Sequence, residues 1–319
     1  NHLFFIPLPP LILKESFIAS CFRNKMKRNI LFFLLFSIVE ANLVAQTTIR
    51  LWDNASATKK MKHSEMTAYI ANGNSAGPAV IICPGGSYCY LGIRNEGFRV
   101  AEWFQKKGIS AFVLRYRVGI RNNRHPAMIQ DLQRAILLVK ENHAKYGIDT
   151  CKVGIVGFSA GGHLAGTAAT YYNINFMEEL GVETNVSLRP DFVAMIYPVV
   201  SMTDSIVHKR SRRNLLGYKY TPELQKMMSL ELNAHAGMPP VFIIHCTKDQ
   251  TVDYRNSLYY KDVLKKNKVQ CHLTLYDEKG HGFGIDPKSD KAPSWINHFI
   301  PWLQHIQVIN QPMNAQTME

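Results

Sequence analysis

Short apolar runs and longer amphipathic segments alternate along most of the chain. Each apolar run is five or six residues long and rich in branched aliphatic side chains, which is typical of strands buried on both faces. The runs lie at 79–83, 109–114, 152–156, 192–197, 241–245 and 272–276. Before them, the segments 47–52 and 66–70 alternate polar and apolar residues, and they predict two opening antiparallel strands.

Helical periodicity occupies the intervals between these strands. In the segment 125–146, for example, Ile129, Leu132 and Ile136 recur at helical spacing. Further helices are predicted at 94–107, from 164 onward, at 252–265 and at 294–304. Alternating strands and helices indicate an α/β fold, in which a mainly parallel central sheet is covered by helices on both faces. The segment 201–238 is irregular and polar, and it is either part of a substrate-binding rim or a surface excursion.

The first 45 residues do not share this pattern. Residues 1–25 mix apolar residues and prolines without a period, and we expect an upstream or disordered extension there. Residues 26–45 have the layout of a secretory signal peptide, because a basic start is followed by a short apolar run and the small-residue site Leu43-Val44-Ala45. The apolar run is too short for a membrane span. We therefore expect a secreted or periplasmic protein whose single domain covers 46–319.

The composition restricts the possible partners. The 319 residues carry a net charge of +13, a basic balance that suits nucleic acid or an acidic polysaccharide. The charges are scattered, however, apart from the runs 209–213 and 265–268, and no nucleic-acid motif accompanies them, so we expect no nucleic-acid partner. The six cysteines lack zinc spacing and no metal motif appears, so we expect no cofactor.

One turn carries the strongest chemical signal. Gly157-Phe158-Ser159-Ala160-Gly161 lies between the apolar run at 152–156 and a helix start rich in small residues. A Gly-x-Ser-x-Gly sequence between a strand and a helix is the nucleophile elbow, whose glycines allow a strained backbone that exposes the serine hydroxyl. The turn therefore predicts Ser159 as a nucleophile, although a glycine-rich turn with an idle serine gives the same letters.

A serine nucleophile needs a base, and the base needs a carboxylate that orients it. Asp249 directly follows the strand at 241–245, and His281 follows the strand at 272–276. The order Ser, Asp, His with the last two residues at strand ends is that of the α/β-hydrolase triad. Asp253 falls within a predicted helix start and Asp277 is too close to His281 along the chain, so Asp249 is the predicted acid.

The same chemistry requires donors for the negative charge that develops on the carbonyl oxygen. The N–H of Ala160, next to the nucleophile, is one predicted donor. The second is expected from the turn Pro84-Gly85-Gly86-Ser87 after the strand at 79–83, whose glycines allow close approach of the backbone to substrate.

Together these motifs resemble the bacterial acetylxylan and feruloyl esterase group, relatives of the hormone-sensitive-lipase branch of the α/β-hydrolases. The resemblance rests on Pro84-Gly85-Gly86-Ser87-Tyr88, on the elbow and its helix, on Arg189-Pro190-Asp191 with Tyr197-Pro198-Val199, on Lys248-Asp249 with Val252, and on Gly280-His281-Gly282-Phe283-Gly284. It covers about 51–303 and implies an α/β-hydrolase fold, a Ser159 nucleophile, a His281 base and an Asp249 acid. Ser87 stands where such proteins often have a third glycine, so the second oxyanion donor is the N–H of Gly86 or of Ser87.

The resemblance also implies removal of acetyl groups from plant cell-wall polysaccharide. We therefore expect a serine carboxylesterase acting on an acetylated polysaccharide or oligosaccharide. Tyr88, Tyr197 and Trp52 are candidates for contacts with the acyl group or the sugar, or else they belong to the core. The alternatives are a peptidase or other small-ester hydrolase of the same fold, and a non-catalytic carbohydrate-binding module that has lost the triad. The intact Ser-Asp-His order favours the esterase. The sequence does not predict the oligomeric state.

Overall fold

The computed structural model describes residues 46–52, 61–73, 76–203, 205–285 and 294–309. All of these residues belong to one unit, Gln46–Glu319. The predicted extension at 1–25 and the predicted signal peptide at 26–45 lie outside the described residues. Within the described ranges, every helix is too short or too polar to cross a membrane.

A mixed sheet forms the centre of the described region. Its strands are β1 (Thr47–Arg50), β2 (Glu65–Tyr69), β3 (Gly77–Cys83), β4 (Ser110–Arg115), β5 (Ile148–Phe158), β6 (Val193–Ile196), β7 (Val241–Cys246) and β8 (Cys271–Tyr276). They are arranged in the order β1-β2-β4-β3-β5-β6-β7-β8. The β1–β2 and β2–β4 pairs are antiparallel, and all the other pairs are parallel. The α/β fold predicted from the strand and helix periodicity is therefore confirmed.

Helices connect the strands and cover the sheet. They are α1 (Arg99–Lys106), α2 (Ala127–Glu141), α3 (His143–Tyr146), α4 (Ala160–Thr170), α5 (Lys209–Leu216), α6 (Pro222–Met227), α7 (Arg255–Lys266) and α8 (Ile296–His305). A π-helical turn, Arg94–Phe98, precedes α1, and 3₁₀ turns lie at Met61–His63, Gly119–Arg121, Glu178–Leu180 and Leu230–Leu232. The hydrophobic core has a layer on each face of the sheet, because alternate residues of one strand point to opposite faces.

Two predicted helices are divided in the structure. The segment 125–146 forms α2 and α3, because the side chain of Asn142 donates to the carbonyl of Leu138 at 2.8 Å and ends the first helix. The segment 94–107 forms the π-helical turn and then α1. The inserted segment 201–238 is partly helical and contains α5 and α6.

The parallel strands determine where chemistry can occur. The strands β3, β5, β6, β7 and β8 run in the same direction, so their carboxyl ends lie at one edge of the sheet. Ligand sites of open α/β sheets form in the crevice outside those carboxyl ends. The residues that follow these five strands include the Gly85-Gly86 turn, Ser159, Tyr197, Asp249 and His281.

Candidate active site

The elbow at Ser159 joins the end of β5 to the start of α4. Ser159 has φ +53° and ψ −117°, in the left-handed half of backbone space that side chains other than glycine rarely adopt. The neighbouring glycines permit it, because a Cβ at Gly157 would collide with the carbonyl of Gly161, and one at Gly161 with the carbonyl of Cys83. The glycines thereby hold Ser159 in this sharp turn, although only 4% of its surface is exposed to solvent.

Ser159, His281 and Asp249 form one hydrogen-bonded line. The Oγ of Ser159 lies 2.9 Å from Nε2 of His281, and Nδ1 of His281 lies 2.7 Å from Oδ2 of Asp249. An ionised carboxylate can only accept, so Nδ1 carries the imidazole proton and Nε2 is free to accept the serine proton. This is the geometry in which an imidazole can act as a general base toward a serine hydroxyl.

The carboxylate of Asp249 has further partners. Its Oδ1 accepts the N–H groups of Thr251 at 2.8 Å and Val252 at 3.1 Å, and Nε2 of His245 lies 3.2 Å from Oδ2. Burial by itself raises the pKa of the Asp249 carboxyl, but the hydrogen bonds from His245 and His281 outweigh it and hold that pKa well below 3.8. The side chain is fully buried and remains ionised.

The rival carboxylates have other partners. Asp253 pairs with Arg255 at the start of α7, accepting from Nε of that arginine at 2.9 Å. Asp277 is exposed and pairs with Lys248 at 3.1 Å. Neither is hydrogen-bonded to His281, so of the three candidate acids the structure brings only Asp249 to the imidazole.

The turn after β3 contributes backbone donors. Gly86, Ser87 and Tyr88 have φ values of +130°, +57° and +55°, so three consecutive residues lie in the left-handed region. Among the described residues, no acceptor binds the N–H of Gly86, Ser87 or Ala160. Gly86, Ser87 and Ser159 all line one cleft, so the N–H groups of Gly86 and Ser87 are available to a ligand there, and Ala160 directly follows Ser159. The N–H of Gly85 is not available, because it donates to Glu96 at 2.7 Å.

Glu96 links the two sides of the site. One of its oxygens accepts from the Gly85 N–H at 2.7 Å, and the other accepts from the hydroxyl of Tyr197, also at 2.7 Å. That hydroxyl in turn accepts the N–H of Gly284 at 3.0 Å. Burial raises the pKa of the Glu96 carboxyl above 4.5, while the hydrogen bonds from Tyr197 and Gly85 act in the opposite direction. One buried carboxylate therefore connects the turn after β3 to the loop of His281.

The predicted contacts of Tyr88 and Tyr197 with substrate are wrong for this structure. Both tyrosines are completely buried. The hydroxyl of Tyr88 lies 2.8 Å from Nδ1 of His163, and the ring of Tyr197 packs 4.7 Å from the ring of His281. Trp52 is also buried, with Nε1 donating to Asp131 at 2.7 Å. Each aromatic ring fills the core with its polar atom bonded internally, so no surface remains for a sugar.

A cleft of about 760 Å³ opens at Ser159 and His281. This volume lies within the range of small-molecule sites. Besides the turn after β3, Ser159 and His281, the lining includes the charged or aromatic residues Tyr90, Arg94, Glu96, Arg99, His208 and Arg210. His208 and Arg210 belong to the inserted segment 201–238, so this segment contributes to the rim of the cleft.

The insertion also supports the turn after β3. On α5, the Nδ2 of Asn214 donates to the carbonyl of Ser87 at 2.9 Å. This hydrogen bond ties the turn that carries the candidate oxyanion donors to α5 of the inserted segment.

Sequence reasoning missed most of the cleft lining. The sequence shows Arg210 only as part of the basic run 209–213. It predicts an ordinary helix for the segment that contains Arg94, Glu96 and Arg99. Tyr90 follows the turn after β3 by three residues, which is the one signal in the sequence that places it near the site. Among the described residues, no group of three His, Cys, Asp or Glu side chains is arranged to hold a metal ion.

Comparison with known proteins shows which family the chain belongs to. A family model described as BD-FAE matches residues 66–264, which is more than half of the chain. An acetylxylan esterase from Xylanibacter ruminicola is 29% identical over 278 residues, and an endo-1,4-beta-xylanase B from Butyrivibrio fibrisolvens is 32% identical over 220 residues. The matches cover 86% and 68% of this chain, but the chain spans only 53% and 34% of the lengths of these two relatives.

One solved structure is similar to this chain over almost the whole length of that structure. The acetyl ester-xyloside bifunctional hydrolase of Caldicellulosiruptor lactoaceticus is 32% identical, with a TM-score of 0.76. The match covers 84% of this chain and 99% of that one. A carboxylesterase from Lactobacillus plantarum is 21% identical with a TM-score of 0.68 and shares the fold.

Proposed function

The chain belongs to the BD-FAE family of α/β-hydrolase carboxylesterases, and we propose that it removes acetyl groups from an acetylated plant cell-wall polysaccharide or its oligosaccharides. The observation that carries the proposal is the line from Ser159 through His281 to Asp249, with contacts of 2.9 and 2.7 Å beside a cleft of substrate size. The names of two relatives, an acetylxylan esterase and an acetyl ester-xyloside hydrolase, support acetyl as the acyl group.

The proposed reaction has two halves. In the first, Oγ of Ser159 attacks the acetyl carbonyl carbon while Nε2 of His281 takes the serine proton, and the imidazolium then gives that proton to the departing sugar oxygen. This forms the acetyl-serine ester and releases the sugar hydroxyl. In the second half, His281 deprotonates a water that attacks the acetyl-serine, and acetate leaves as the proton returns to Oγ.

The surrounding groups have supporting roles in this proposal. Asp249 holds the imidazole in the tautomer that can accept the serine proton and stabilises the imidazolium that forms. The N–H of Ala160 and the N–H of Gly86 or Ser87 stabilise the oxyanion of each tetrahedral intermediate. Removing one such donor costs about 2.7–4 kcal/mol in other serine hydrolases.

The test is acetate release from acetylated xylan and from 4-nitrophenyl acetate by the wild type and by Ser159→Ala. We expect release from both substrates, with kcat reduced by about 10⁶ in the variant, as for nucleophile removal in a serine protease. Ser187→Ala is the matched control, since Ser187 is an exposed serine that does not line the cleft, and it should leave kcat unchanged. Release from the aryl ester alone would reject the polysaccharide. No Ser159-dependent release from either substrate would reject the esterase in favour of a binding module.

We also propose that the protein acts outside the cytoplasm, because its polymeric substrate is there and residues 26–45 have the layout of a signal peptide. The measurement is the intact mass of the exported protein from expressing cells. We expect a chain that begins near Gln46. A protein that retains residues 26–45, or that stays in the cytoplasm, would contradict the proposal.

A further inference from the structure

The cleft beside the triad carries an excess of positive charge. Three arginines, Arg94, Arg99 and Arg210, line it together with Ser159 and His281. Each of the three arginines is solvent-exposed, and within the described residues none of them has a carboxylate partner. The guanidinium groups are permanently charged, so the cleft has three cations that no ion pair within the described residues neutralises.

Among the described residues, one acidic side chain lines the cleft, and it forms no ion pair with these arginines. Glu96 is 5% exposed, and its two oxygens are already bound to Gly85 and Tyr197. Both oxygens of Glu96 are therefore held by interior donors, and none of the three arginines described here forms an ion pair with it.

Some arginines outside the cleft do have carboxylate partners. Arg117 contacts Asp131 at 2.9 Å, and Arg115 contacts Glu65 at 3.0 Å. Both pairs lie away from the cleft lining. The three cleft arginines belong to the π-helical turn, to α1 and to α5, so three separate elements bring them to the active site.

An aromatic ring lies within this group of cations. Tyr90 lines the cleft with 56% of its surface exposed, and the guanidinium carbon of Arg210 lies 5.8 Å from the centre of its ring. An exposed, rigid ring offers a flat surface for a sugar, and the neighbouring guanidinium can bind a carboxylate through two parallel hydrogen bonds. The pair therefore suits a sugar residue that itself bears a negative charge.

We propose that the substrate is an acetylated saccharide with a carboxylate on its sugar part, such as a uronic acid branch, and that Arg94, Arg99 and Arg210 bind this carboxylate. The inference rests on the proposed function and specifies the substrate class of the same site. The three arginines are exposed rim residues, so they meet the part of the substrate that extends out of the cleft, while the acyl group is held at Ser159.

The experiment compares two substrates on one enzyme. The first is an acetylated xylo-oligosaccharide with a single uronic acid branch, and the second is the same oligosaccharide with that carboxyl converted to a neutral methylamide. We expect the ratio of their kcat/KM values to be about 10 in favour of the acid, which is the effect of a few exposed charge contacts. Raising the salt from about 0.05 M to about 0.5 M should reduce the ratio, because screening shortens the range of these contacts.

The arginine variants give the specific readout. In the triple variant Arg94→Gln, Arg99→Gln, Arg210→Gln, the ratio should fall to about 1. A lower folded fraction in the variant cancels, since both substrates are measured on the same preparation. Arg213→Gln is the matched control, because Arg213 is an exposed arginine of α5 that does not line the cleft, and it should leave the ratio unchanged.

Three results would overturn the inference, and they differ in what else they reject. Equal rates for the two oligosaccharides, or a preference that the triple variant retains, reject the charge recognition and leave the proposed function intact. An arginine-dependent preference for 4-nitrophenyl hemisuccinate over 4-nitrophenyl butyrate places the anion on the acyl side instead. Hydrolysis of 4-nitrophenyl acetate without deacetylation of either oligosaccharide rejects the proposed function, and the inference fails with it.

Discussion

Replacing Glu96 with glutamine tests whether the buried carboxylate organises the active site. In the wild type, the two oxygens of Glu96 accept from the Gly85 N–H and from the Tyr197 hydroxyl, each at 2.7 Å. A glutamine side chain has one accepting oxygen and one donating NH₂, so it can accept only one of these two hydrogen bonds. If its NH₂ faces the N–H of Gly85, two donors oppose each other at the turn that carries the candidate oxyanion donors.

The size of the effect follows from the lost contact. A hydrogen bond to a charged group contributes about 1.5–3 kcal/mol. If that free energy is lost from the productive arrangement of the turn, kcat for 4-nitrophenyl acetate should fall by roughly 10- to 100-fold, since about 1.4 kcal/mol corresponds to a factor of ten. The KM should change little, because the turn stabilises charge that develops only in the transition state.

The assay is steady-state hydrolysis of 4-nitrophenyl acetate by the wild type, Glu96→Gln and a control. The matched control is Glu102→Gln, because Glu102 is an exposed glutamate on α1, within two turns of Glu96. It should leave kcat and KM unchanged. An unchanged kcat in Glu96→Gln, or an equal loss in both variants, would refute the role of Glu96 in positioning the turn.

The Glu96→Gln variant should also change how the free energy of unfolding depends on pH. Because burial raises the pKa of Glu96 above 4.5, the folded protein holds this proton at pH values where the unfolded chain has released it. The stability that Glu96 contributes is therefore present below about pH 4.5 and lost as the pH rises through the raised pKa. Glutamine does not titrate, so the free energy of unfolding of Glu96→Gln relative to the wild type should increase between about pH 4 and pH 7 in urea denaturation. A relative decrease would contradict the sign of the pKa shift.

Further predictions concern the orienting acid and the elbow. Asp249→Asn should lower kcat by about 10⁴, as the equivalent change does in the serine protease triad, because the imidazole loses its fixed tautomer; Asp253→Asn, measured in the same esterase assay, should have no such effect. Gly161→Ala should abolish activity and lower the melting temperature, because its Cβ would collide with the carbonyl of Cys83. Gly77→Ala is its control, since a Cβ there would meet its nearest atom only at 3.9 Å, and a folded, active Gly161→Ala would contradict the proposed elbow geometry. Both glycine variants are followed by thermal unfolding and by hydrolysis of 4-nitrophenyl acetate.

The sequence alone predicted the α/β fold and the positions of the chemical groups at strand ends. Buried parallel strands are visible as continuous apolar runs, because both faces of each strand are covered. The carboxyl ends of such strands meet at one edge, so Ser159, Asp249 and His281 could be assigned to one site before any contact between them was known. The order Ser159, Asp249, His281 along the chain also indicated that the three residues belong to one catalytic site.

The lining of the cleft could not be predicted in this way. The sequence makes Tyr88 and Tyr197 candidates for substrate contact or for the core, and both are buried, because the exposure of an aromatic ring depends on what packs over it and not on its neighbours in sequence. The basic run around Arg210 is typical of solvated surface, but in the structure the inserted segment places Arg210 in the cleft with Ser159 and His281.

Glu96 shows most clearly what only the tertiary structure decided. Its partner Tyr197 is 101 residues away in sequence, and no local pattern distinguishes this glutamate from the exposed Glu102 on the next turns. The sequence by itself determined which elements form and which chemical groups follow the strands, because those properties depend on local periodicity and turn chemistry. The packing of distant segments determined which polar groups are buried together and which charges face the substrate, because burial and pairing exist only once the sheet and its connections have assembled.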